Sequence, residues 1–74
     1  MTEPPPITTI HHRADEGRRI LALYREITET MCDPMDQSLT LMLTGLMHYC
    51  DRERIDFNKA LRAARRRYKE EVGL

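Results

Sequence analysis

Tryptophan is absent from this chain of 74 residues, and its other aromatics are one Phe and three Tyr. Large rings therefore supply little of any core. No apolar run approaches the roughly 18–20 residues that a bilayer crossing requires, so no transmembrane span is expected. The opening Met1-Thr-Glu-Pro-Pro-Pro has no basic end followed by an apolar stretch, and a signal peptide is not expected either. Only three glycines are present, Gly17, Gly45 and Gly73, too scattered for a phosphate-cradling loop, and no nucleophile elbow occurs. Cys32 and Cys50 are the only thiols, and two cysteines without an export signal are ordinarily reduced. These absences argue against a multidomain enzyme, a membrane protein and a disulfide-stapled secreted scaffold. A cytoplasmic location is the expectation.

Metal and catalytic chemistry fare no better. His48 and Cys50 stand two apart and point to different faces of a helix, and the adjacent His11 and His12 diverge in the same way. No Cys-x-x-Cys or His-x-x-x-His spacing exists, so neither a metal nor a cofactor is expected. Asp15, Glu16, Glu26, Glu29 and Asp33 form a loose acidic set. Their helical angles scatter, whereas paired inward carboxylates need a fixed register across facing helices. Glu26 and Glu29 read as solvent-facing, and no enzyme is expected.

What the chain does have is charge and helical periodicity. Charged residues make up 32% of it, balanced at twelve basic and twelve acidic. The balance hides an asymmetry. Residues 1–51 hold four Arg against eight acids, whereas residues 52–69 hold eight basic residues against Glu53 and Asp56. Such a split suits an acidic partner, or attraction between halves of one fold or between two copies.

Pro4-Pro5-Pro6 favours an extended path without amide donors, so residues 1–9 read as a flexible, proline-rich tail and residues 10–74 as one helical domain. Ile7-Thr8-Thr9-Ile10 is β-branched and offers a short edge for pairing. The first helix is predicted over Ile10–Met31, from Ile20, Tyr24, Ile27 and Met31 at three-four spacing with Leu21 and Leu23 alongside. Ile10, Ala14 and Gly17 extend that face backwards, although Asp15 offers an alternative start as an N-cap. Asp33-Pro34 marks the next boundary: Asp33 is predicted to cap and Pro34 to open a helix running to about Asp51. Met35, Leu39, Met42, Leu43, Leu46, Met47, Tyr49 and Cys50 give this second helix a very broad apolar face, the expected hub. Cys50 reads as a small buried hydrophobe, and the methionines as adaptable filling. Asp56 is predicted to cap a third helix over Phe57–Val72, with Phe57, Leu61, Ala64 and Tyr68 as its stripe and Gly73 as its stop. The fold class is all-α, a small bundle of about three helices.

The stretch from Leu46 through His48-Tyr-Cys-Asp and Ile55-Asp-Phe to Glu70 resembles a pattern in small uncharacterised all-helical bacterial proteins, some from mobile elements. It spans about a third of the chain. The resemblance implies an all-helical fold, carries no catalytic residue, and fits an inhibitor of some host system without naming a residue for it.

Two surfaces stand out as candidates. Advancing 100° per residue from Phe57 places Lys59, Arg62, Arg66 and Lys69 at roughly 120–200°, opposite the apolar stripe, with Arg65 and Arg67 flanking. This row suits an acidic protein or the phosphates of a nucleic acid; it also suits a merely solvated, ion-paired face. On the second helix, Ser38, Leu41 and Gly45 lie off the main face. A large apolar residue beside two small ones permits close approach of another helix, so this patch is a candidate dimer or partner surface. A chain this short buries only about 60% of its unfolded surface, and with no disulfide or metal, oligomerisation is the remaining source of burial. A homodimer is the expected state. The functional expectation is a non-enzymatic interaction or regulatory protein acting by self-association and through an acidic or apolar protein partner. The alternative is a nucleic-acid-binding accessory protein that uses the basic helix.

Overall fold

The computed structural model describes residues 7–73, which form three helices and no strand: α1 (Ile7–Thr28), α2 (Met35–Glu53) and α3 (Phe57–Val72). The prolines of the expected tail lie outside the described residues. Its last three residues, Ile7–Thr9, are helical, as is Ile10, so neither the tail boundary at residue 9 nor the short pairing edge is realised. α1 then continues unbroken through Asp15 and Gly17, so the alternative start at Asp15 is not used.

α1 ends at Thr28, three residues before the predicted Met31, because Glu29 enters the left-handed region at φ 58°. The Thr30 N–H donates to the Arg25 carbonyl at 2.9 Å and the Glu29 N–H to the Glu26 carbonyl at 3.3 Å. This is the paired closure of a left-handed helix stop. α2 ends in the same way: Arg54 has φ 58°, Ile55 N–H donates to the Cys50 carbonyl at 2.8 Å, and Arg54 N–H to Asp51 at 3.3 Å. Gly73 at φ 80° closes α3 as predicted. Glycine meets this conformation without strain, whereas any Cβ pays about 1 kcal/mol for it. Glu29→Gly and Arg54→Gly are therefore each expected to stabilise the fold by about 1 kcal/mol, read as a higher urea midpoint at unchanged slope.

At the start of α2 the structure departs from the sequence expectation. Pro34, extended at φ −57°, ψ 146°, occupies the cap position itself, and no side chain caps the helix. Asp33 thus lies one residue too early to cap. Asp36 accepts a hydrogen bond from the Gln37 N–H at 3.0 Å, and its charge suits the first turn. At α3 the prediction holds: Asp56 Oδ1 accepts from the Lys59 N–H at 2.9 Å.

Each helix touches both of the others, yet the assembly is open, with extents of 45 × 30 × 15 Å and a radius of gyration of 14.6 Å. A compact domain of this length has a radius near ~11 Å. Among the described residues only two are buried, Ser38 at 0% exposure and Cys50 at 9%. Cys50 is the small buried hydrophobe its position suggested. The broad face of α2 is not a closed hub: Met42 is half-buried, while Met35, Leu39, Leu43, Leu46, Met47 and Tyr49 are exposed. On α3, Phe57 and Val72 are half-buried at the two ends, and Leu61 and Tyr68 are exposed between them. One ion pair ties the first helix to the last, Arg13 Nε to Glu71 Oε2 at 2.9 Å, and it raises the Arg13 pKa. As an exposed pair it orients the helices more than it stabilises them.

Candidate interaction surface

The link between α1 and α2 is built around one side chain. Arg25, half-buried in the last turn of α1, reaches over residues 29–34 and donates to the carbonyls of Thr30, Met31 and Asp33, the last at 2.7 Å. Its guanidinium also lies against the Met35 sulfur. The guanidinium fork serves several carbonyls at once, which a lysine ammonium cannot do in one plane. Sequence reasoning gave Arg25 no role; a basic residue in the last helical turn before a proline-bounded loop was the only signal.

With the hairpin set, an apolar groove runs between α1 and α2. Its volume is about 430 Å³, and Ala14, Gly17, Ile20, Leu21, Met35, Leu39 and Met42 line it, with Arg18 at the edge. Gly17 gives the floor its depth, since a Cβ built there meets nothing within 4 Å. Leu43 and Leu46, both exposed, continue the apolar surface along α2. The α1 edge is apolar as well: Leu23 is 57% exposed and Ile27 72%, although periodicity counted both towards the core.

The patch proposed from the sequence on the other side of α2 is only partly assembled. Ser38 is fully enclosed within the protomer, so it does not join Leu41 on the surface. Its hydroxyl has no hydrogen-bond partner among the described residues. Leu41 and Gly45 do lie exposed, with open space around Gly45.

On α3 the basic row is arranged as the helical angles indicated. Lys59, Arg62, Arg65, Arg66 and Lys69 are all exposed, and among the described residues none takes part in an ion pair within 4 Å. Within the protomer, then, these charges are not consumed by ion pairs among the described residues. Nearby, Arg52 lies over the Tyr49 ring at 5.3 Å from its centre. Among the described residues no group of three or more His, Cys, Asp or Glu is placed to hold a metal, and no helix is long and apolar enough to cross a membrane. Both cysteines are free thiols, Cys32 exposed and Cys50 buried. Compared with known protein families, curated proteins and solved structures, the chain matches none.

Proposed function

We propose that this chain is a non-enzymatic interaction module whose three helices are an unfinished core, completed when the apolar face of α1 and α2 meets another protein surface, a second copy included. The observation that carries this reading is the burial deficit. The accessible surface is 6696 Å², against about 4,700 Å² for a compact protein of this mass, an excess of about 2,000 Å². Large apolar side chains account for much of what is left uncovered, and contiguous exposure of that kind marks an interaction site. The reading carries with it a cytoplasmic location, where free thiols persist. The test is helix content and unfolding followed by circular dichroism across a roughly hundredfold dilution of the purified chain. Loss of helix on dilution is expected, and its recovery when the partner surface is supplied. Full helicity with cooperative, concentration-independent unfolding would overturn the proposal.

A second reading is favoured by the unpaired basic row: α3 presents Lys59, Arg62, Arg65, Arg66 and Lys69 to an acidic protein or to nucleic acid phosphates. For nucleic acid the expected results are distinct. Retention of a short duplex should weaken steeply with salt, and Arg62→Glu with Arg66→Glu should lower the logarithmic salt slope by about 2 and the affinity by roughly tenfold or more. The fold should be unaffected, because both side chains point to solvent. Retention that ignores salt and both substitutions rules out phosphate recognition by this helix.

A further inference from the structure

We propose that the occupant of the α1/α2 groove is a second copy of this chain, with the α2 helices of the two copies packed antiparallel so that each lies along the other's groove. The proposal rests on the interaction-module reading above and names its first partner.

Three observations point to a copy. The first is area. Obligate homodimers bury about 2,000–5,000 Å² in total, or roughly 1,000–2,500 Å² per subunit. The excess surface of this chain, about 2,000 Å², falls in that range, so one copy suffices to close the core. The second is the spacing along α2. Met35, Leu39, Met42, Leu46 and Tyr49 recur at alternating intervals of four and three, the seam by which two helices interlock. The protomer's own helices cover only part of it, for Met35, Leu39, Leu46 and Tyr49 remain exposed. The third is charge. A two-fold interface brings a patch against itself, so a strongly charged patch repels its own copy. Here the lining is apolar except for Arg18, whose guanidinium has Asp15 at 3.9 Å. The whole chain is neutral at twelve charges of each sign, and its acidic residues 1–51 attract the basic residues 52–69 of a second copy. A partner chosen for its charge would be met at α3, not here.

Gly17 supplies a test that leaves the protomer intact. Because a Cβ at this position meets nothing within 4 Å, the side chain of Gly17→Leu starts from open space and occupies the groove, and it favours the helix by replacing glycine. The experiment is sedimentation equilibrium of the full chain, with Gly17→Leu, Leu43→Asp and Leu41→Asp beside it, and an apolar-surface dye as second readout. The expected result is a dimer for the parent chain and for Leu41→Asp, since Leu41 lies off the seam, whereas Leu43 flanks it beside Leu39 and Leu46. Gly17→Leu and Leu43→Asp should each raise the dissociation constant at least tenfold. A dimer broken by Leu41→Asp and untouched by the other two would overturn the proposal and move the interface to the Leu41–Gly45 patch. A parent monomer that binds the dye would overturn the second copy as occupant while leaving an open face for another protein. A parent monomer that unfolds cooperatively and ignores the dye would overturn both this proposal and the reading beneath it.

Discussion

Replacing Arg25 by alanine is expected to cost about 2 kcal/mol of stability, which for a chain of this size lowers Tm by roughly 10 °C. The side chain donates to three backbone carbonyls of the segment between α1 and α2, and donation from a charged group is stronger than between neutral ones. Once it is gone, those carbonyls turn to water and the loop loses the contacts that define its path. The angle between α1 and α2 then loosens, and with it the groove. Partial solvent exposure of the guanidinium keeps the expected cost well below the sum of three full charged hydrogen bonds. Arg25→Lys should recover only part of the loss, because an ammonium on a flexible stem does not serve several carbonyls in a fixed plane. Urea unfolding at matched protein concentration checks the magnitude, and amide exchange at residues 29–33 checks the place. Unchanged exchange there would show that the loop holds its path without Arg25.

Ser38 gives the second large effect, and its sign depends on the substitution. The residue is wholly enclosed within the protomer, and its hydroxyl lacks a partner among the described residues. A buried hydroxyl without a hydrogen bond carries a desolvation cost of about 1–3 kcal/mol, and alanine removes it while improving helix propensity. Ser38→Ala is accordingly expected to stabilise the chain by about 1 kcal/mol or more. Ser38→Leu should do the opposite, because two added heavy atoms at a fully enclosed position force the surrounding packing apart. A loss of about 2 kcal/mol or more is expected, at the upper part of the usual overpacking range. Opposite signs from two apolar replacements at one site would establish that size, not polarity, selects serine there. If Ser38→Leu were neutral, the helices would have to part without cost, and the groove between them could not have a defined shape.

Much of the secondary structure was legible along the chain. The break at Pro34, the cap at Asp56 and the stop at Gly73 are written in one or a few adjacent residues, and each is realised. The misplaced ends have local causes of another kind. Glu29 and Arg54 take a left-handed conformation that favours glycine, so nothing in their identity announced a helix end. The basic row on α3 was legible too, since a strongly amphipathic helix has a charged side wherever its apolar side rests.

The apolar residues behaved differently. Periodicity assigned Ile20, Leu23, Ile27, Leu39, Leu43 and Leu46 to covered faces, and all six are exposed. A 3.6-residue repeat records which side chains share a face of one helix, and it holds no information on how much of that face a neighbour reaches. Coverage depends on how the helices cross, to which the link held by Arg25 and the enclosed, small Ser38 both contribute. Neither residue belongs to an apolar pattern. The sequence by itself thus determined the three helices, their main punctuation and the separation of basic from apolar sides, because these follow from interactions within a few residues. Only the tertiary structure decided that the core is left open, because burial is a relation between segments far apart in the chain.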